Sequence, residues 1–295
     1  MSDPYRDHRR GMALAAAGVF VLSFDALLVR MAAADAWDVV FWRAWFICLS
    51  LAVVQLLRRR PWLPPGRNAR RVGLAAAVLL GIDMALFVLS VSHTRVANTV
   101  VILAASPLFA GIFTWLFLGE RVRPRTWAAI AVAAAGIGAV FGGSMDLGLW
   151  RGDLLALLLA LFMGAVLTLL RAQPALERIP LVCLSGLIGG LLAWPLADPL
   201  SLGAPSYAVL ALMGLVQMPL ALVLIATATR YLPAPEVSLF MLIESVLGPL
   251  WVWALLGEDP PPATFLGGLA VLGAVAVHSW LALAEARRRN RAAPV

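Results

Sequence analysis

Three carboxylates and one guanidinium stand inside long apolar runs of this chain: Asp25, Asp83, Glu244 and Arg43. A charged group in an apolar surrounding costs several kcal/mol unless it is paired, protonated or facing water, so each asks for a reason. Glu244 shares a helical face with Phe240, Leu247, Gly248 and Trp251, spaced at three, four and seven residues. An acid beside aromatic and small residues suits a pocket for an amine with an apolar side chain. The plain alternative is a protonated glutamic acid bonded to a neighbouring helix. Asp83, with Phe87 and Ser90 on its face, admits the same two readings. Asp25 and Arg43 lie at similar depth in consecutive segments, so they are expected either as an ion pair or as an outer gate.

Other polar positions invite weaker readings. Ser106-Pro107 and Gln217, close to Pro219, sit where proline frees a backbone carbonyl that only a polar cavity or another donor can satisfy. Ser106 and Gln217 therefore join the candidate substrate contacts, with packing kinks as the alternative. Glu120 and Glu258 each follow a glycine at a segment end, where they are expected to tie helix ends. His93, Asn98 and His278 read as hydrogen-bonded or interfacial groups. Cys48 and Cys183 both fall in apolar runs, so neither a disulfide framework nor metal-ligand spacing is present. No HExxH, G-x-S-x-G or phosphate-binding loop occurs, which argues against an enzyme, a metal site, a cofactor and ATP-driven transport.

The elements that carry these residues are set by composition. Apolar residues make up 62% and charged residues 13% of the chain, a balance suited to lipid rather than to a soluble surface. Ten apolar segments are expected, at about 11–31, 39–57, 72–92, 97–118, 125–142, 152–170, 180–197, 206–228, 235–256 and 263–284. The first survives comparison with a signal peptide because its apolar stretch is too long and contains Asp25. The charge of +7 contains no lysine, and its arginines lie in short clusters between apolar runs, so it signals topology rather than nucleic acid. On alternate sides the segment ends hold 19 and three arginines. The expected orientation has both termini in the cytoplasm, in a bacterial inner (cytoplasmic) membrane.

The sequence also repeats. Trp115, Leu118, Gly119, Glu120, Pro124 and Thr126 return 138 positions later as Trp253, Leu256, Gly257, Glu258, Pro262 and Thr264. Gly11, Leu14, Ala15, Leu28 and Arg30 likewise match Gly152, Leu155, Ala156, Leu169 and Arg171. Residues 11–142 and 152–284 are thus expected as two five-helix repeats. An odd number of crossings per repeat inverts the second relative to the first. The fold class is an all-α integral membrane protein of ten transmembrane helices in two inverted five-helix repeats, with a site near midplane. Gly138 and Gly142, with Gly267, Gly268 and Gly273, would let the fifth and tenth helices approach a neighbour or a second protomer, so a homodimer is within reach.

Ser106 to Trp127, SPLFAGIFTWLFLGERVRPRTW, and Glu244 to Phe265, ESVLGPLWVWALLGEDPPPATF, resemble the EamA-type branch of the drug/metabolite transporter superfamily. The likeness spans nearly the whole chain. Members commonly carry Glu-Pro in the ninth helix, whereas this chain has Glu244-Ser245 and places its proline at Pro249. The resemblance implies a secondary carrier that works by alternating access, usually an exporter of amino acids or related small metabolites, and the similarity most often drawn within the family is to exporters of aromatic and other neutral amino acids. It further implies a cavity lined by helices one, three, four, six, eight and nine. A multidrug exporter of amphipathic compounds or a lipid-moving protein is the alternative. Small-molecule substrate and bilayer are then the partners.

Overall fold

The computed structural model describes residues 4–59, 61, 62, 64, 66–119, 124–145, 147–173, 176–229, 231, 232 and 234–292. Helices follow one another throughout: α1 (Pro4–Leu22), α2 (Asp25–Met31), α3 (Ala36–Arg58), α4 (Arg67–His93), α5 (Val96–Leu103), α6 (Ser106–Leu118) and α7 (Pro124–Met145) in the first part. The second part holds α8 (Trp150–Ala172), α9 (Arg178–Ala193), α10 (Ala204–Ala211), a π-helical stretch (Leu212–Gln217), α11 (Met218–Ala228), α12 (Ala234–Leu256) and α13 (Pro262–Ala292). Among the described residues there is no strand. Among the described residues, eight helical stretches have the length and hydropathy to cross a membrane, and Arg178–Ala193 and the Phe240–Leu256 part of α12 are shorter apolar stretches. The chain is a multi-pass membrane protein.

Two of the expected segments are each split. The first breaks between α1 and α2 at Ser23 and Phe24, and the fourth breaks between α5 and α6 at Ala104 and Ala105. Local chemistry accounts for both. Pro107 cannot donate to the carbonyl of Leu103 four residues back, and the Ser106 hydroxyl donates to that carbonyl instead. At the other break the Ser23 hydroxyl bends back onto the Phe20 carbonyl at 2.7 Å. In the eighth segment the π-helical stretch ends two residues before Pro219, and the Met218 amide reaches the Met213 carbonyl. By contrast α12 runs unbroken through Glu244 and keeps Pro249 inside it.

The glycines of the repeated L-G-E endings share a backbone conformation. Gly119 caps α6 with φ of 66° and Gly257 follows α12 with φ of 68°, left-handed values that a residue with a Cβ adopts only under strain. Both glycines therefore stop a helix in the same way.

The closest helix pairings join the first part of the chain to the second. α3 lies on α9, α7 on α13, α4 on α8 and α9, α1 on α11, and α6 on α8. The largest core cluster accordingly mixes Leu27, Val39, Val88 and Val100 with Leu210, Met213 and Val252. Where α7 meets α13, the backbones touch: a Cβ at Gly136 would fall 2.7 Å from the Gly267 carbonyl oxygen. Gly138 and Gly142 have open space beside them, and so does Gly273. The close approach of these two helices thus runs through Gly136 and Gly267, not through the GxxxG pair.

Candidate functional site

The site is built on the break in the first segment. Asp25 opens α2, and Arg43 of α3 donates from Nη2 to Asp25 Oδ2 at 2.7 Å, with both side chains buried. The guanidinium also lies over the Phe87 ring, 5.5 Å from its centroid, and its charge reaches Asp83 on the same helix as Phe87. Asp25 Oδ1, Asp83 Oδ1 and Arg43 Nε are buried without a hydrogen-bond partner. Arg43 thus serves two carboxylates, and Asp25 holds it directly.

Glu244 reaches the same break from α12. Its side chain is half-buried, lies within electrostatic range of Asp25, and makes no hydrogen bond or ion pair with a described residue. One face of α12 also carries Trp251. The Trp251 indole donates to Ser23 Oγ at 2.9 Å, stacks on Phe24 with centroids 5.0 Å apart and planes 11° from parallel, and meets Phe20 edge-on at 5.9 Å. Acid and aromatic wall thus converge on one interruption of one helix.

Three other candidates are engaged with the helices themselves, Gln217 at the same break. Ser106 is buried and engaged with Leu103, so its hydroxyl closes the α5–α6 break rather than lining a pocket. Gln217 is buried, and its amide nitrogen donates to the carbonyls of Val21 and Leu22 at 3.1 and 3.3 Å, two groups that the break leaves without helical partners. Phe240 packs beside Ala15, Val19 and Ile225, in the core shared by α1 and α11. All three support the helices that frame the site.

A second polar group, absent from the sequence-based candidates, occupies one end of the bundle. Asp153 in the first turn of α8 is completely buried and accepts from Thr94 Oγ1 at 2.6 Å, from Asn98 Nδ2 at 3.0 Å and from the Ser144 hydroxyl. Thr264 donates to Asn98 Oδ1 at 2.5 Å, adding α13 to the knot. Beside it Glu258 pairs with Arg30 at 2.9 Å and accepts the Val96 amide at 2.8 Å, while Arg30 donates to the Thr94 carbonyl at 2.8 Å. Glu258 does tie helix ends; Glu120 lies outside the described residues. An acid in the first turn of a helix is so commonly a dipole partner that Asp153 carried no warning in the sequence.

The described residues hold no group of three or more His, Cys, Asp or Glu arranged for a metal ion. Cys48 and Cys183 are free thiols with sulfurs 3.9 Å apart.

An uncharacterized transporter, YwfM, of Bacillus subtilis (strain 168) is 28% identical over 220 residues, covering 69% of this chain and 72% of that protein. A riboflavin transporter of Rhizobium johnstonii is 28% identical over 249 residues, with 79% and 78% covered. A probable terminal-alkyne amino-acid exporter of Streptantibioticus cattleyicolor is 26% identical over 247 residues, with 79% and 80% covered. A solved crystal structure superposes with a TM-score of 0.61 at 16% identity, covering 92% of this chain and 98% of the other, a likeness of fold. The EamA-like transporter family matches twice, over residues 9–142 and 150–280. The duplicated L-G-E endings and both matched stretches agree, and the chain belongs to the EamA-like transporter family, a membrane transporter rather than an enzyme.

Proposed function

We propose that this protein is a secondary carrier that exports amino acids or closely related small metabolites, binding them where Glu244 and Trp251 face the break between α1 and α2. The observation that carries the reading is the Glu244 carboxylate: half-buried, close to Asp25, and without a hydrogen bond or ion pair to a described residue. An acid left in that state inside a membrane protein asks for a cationic partner that comes and goes. The ammonium of an amino acid supplies one. The rings of Trp251, Phe24 and Phe20 offer an apolar wall for its side chain. Asp83 and Asp25 surround Arg43 and keep the neighbourhood rich in negative charge.

In this reading ten helices cross a bacterial inner membrane with both termini in the cytoplasm, and the two matched stretches are inverted repeats. The pairings support that reading, because exchanging each helix for its repeat counterpart turns α4 on α8 into α11 on α1, and leaves α3 on α9 and α7 on α13 unchanged. Alternating access is then a rocking of one repeat against the other about the site. The same aromatic wall would also hold a planar amphipathic cargo, the second reading, and the names of the relatives include both an amino-acid exporter and a riboflavin transporter.

The test is counterflow in proteoliposomes against a panel of amino acids and amphipathic compounds, with wild type, Glu244→Gln and Trp251→Ala. Saturable, stereoselective amino-acid exchange that Glu244→Gln abolishes is the expected result. Wild-type exchange in Glu244→Gln would remove the site assignment. Exchange of amphipathic compounds alone, lost in Trp251→Ala and kept in Glu244→Gln, would favour the second reading.

A further inference from the structure

Arginines at a membrane face follow from topology, but topology does not ask them to enter a helix at its positive end. α4 is 27 residues long, starts after Gly66, and has no acid in its first turn. It carries Arg67, Arg70 and Arg71 instead. The first amides of a helix lack backbone acceptors and its dipole points positive there, so three guanidinium groups add to an existing excess of positive charge. None of the three forms an ion pair with a described residue, and Arg70 Nε only reaches the Pro64 carbonyl at 3.4 Å. Gly66, Arg67, Arg70, Arg71 and Leu74 line a cleft of about 510 Å³ at this helix end.

The cleft continues into an apolar track. Arg67, Arg71, Leu74 and Val78 recur at four, seven and eleven residues, one stripe of the helix, and Leu74 and Val78 are 53% and 39% exposed. We propose that the cleft binds the phosphate of an anionic phospholipid, held by Arg67, Arg70, Arg71 and the free amides after Gly66, with an acyl chain along Leu74 and Val78. The headgroup supplies the negative charge that the helix end lacks, and the stripe supplies the apolar surface that a soluble anion would not use.

Titration of the purified full-length protein with phosphatidylglycerol and with phosphatidylcholine, read by native mass spectrometry, tests this. Each guanidinium is expected to contribute about fivefold to anionic lipid affinity, so Arg67→Gln/Arg70→Gln/Arg71→Gln should weaken phosphatidylglycerol binding roughly a hundredfold. Phosphatidylcholine should bind wild type and variant alike and weakly. Should the triple variant fail to fold, Arg70→Gln alone is expected to weaken binding about fivefold. The corresponding triple lysine variant should keep most of the affinity. Equal phosphatidylglycerol affinity in wild type and glutamine variants overturns the proposal. So does displacement of the lipid by inorganic phosphate, which would assign the cleft to a soluble anion.

Discussion

The side-chain amide of Gln217 donates to the main-chain carbonyl of Val21 at 3.1 Å, across 196 residues of sequence. A second bond from the same nitrogen reaches Leu22 at 3.3 Å, so the last residue of a π-helical stretch completes the hydrogen bonding of a broken helix. Gln217→Met keeps the length and removes the donor. Thermal unfolding in detergent should show a loss of about 1–3 kcal/mol, with transport by the surviving folded protein retained. A variant of unchanged stability that has lost transport would return Gln217 to the cargo path.

Arg43 and Asp25 make a buried pair at 2.7 Å. Removing one partner strands the other, so Arg43→Met should cost about 3–5 kcal/mol of stability. The double variant Arg43→Met/Asp25→Leu removes both charges, and much of that loss should return. If the double variant is no more stable than Arg43→Met in the same melting assay, the pair does not account for the burial of either group.

Cys48 on α3 and Cys183 on α9 bring their sulfurs to 3.9 Å. A small rotation of either side chain would bring them within bonding reach. A membrane-permeant oxidant should therefore join fragments made by cutting an engineered protease site between residues 146 and 149, as a band of full length on a non-reducing gel. Fragments that stay apart would argue against the α3–α9 packing.

Orientation has its own assay. Ser201, Leu147 and Asn68 are all exposed, and the proposed topology puts the first two outside and Asn68 inside. In a single-cysteine series on a background without Cys48 and Cys183, an impermeant thiol reagent outside intact cells should label Ser201→Cys and Leu147→Cys and spare Asn68→Cys. Ser144 is unsuited to this test, because it is fully buried against Asp153. Labelling of Asn68→Cys from outside would reverse the topology proposed above.

Much of the helical plan was legible, because apolar length and arginine clusters are local features. The Asp25–Arg43 contact could be read too, since two opposite charges at equal depth in adjacent apolar segments have few other ways to be stable. The breaks were half legible. Pro107 announced the α5–α6 interruption, yet what satisfied the freed carbonyl was the adjacent Ser106, and sequence alone could not choose between that hydroxyl and a cavity. Ser23 carried no such flag, and the break it occupies depends on a glutamine from the far end of the chain. The Asp153 knot was hidden for the same reason: its partners Thr94, Asn98 and Ser144 are ordinary residues whose importance comes only from meeting.

The pairing of α1 with α11, α3 with α9, α4 with α8 and α7 with α13 has a consequence for how the chain is made. At roughly 5–20 residues per second, the ribosome needs about 7–26 seconds to add the second stretch after the first has entered the bilayer. When the interval begins, α1, α3, α4 and α7 have none of their closest neighbours; α1 waits until α11 and α7 until α13, and the Val21 and Leu22 carbonyls wait for Gln217. The nascent first stretch is thus the form most open to membrane proteases and to pairing with the wrong chain. A gene cut between the stretches should yield two polypeptides that vanish when made singly and persist when made together.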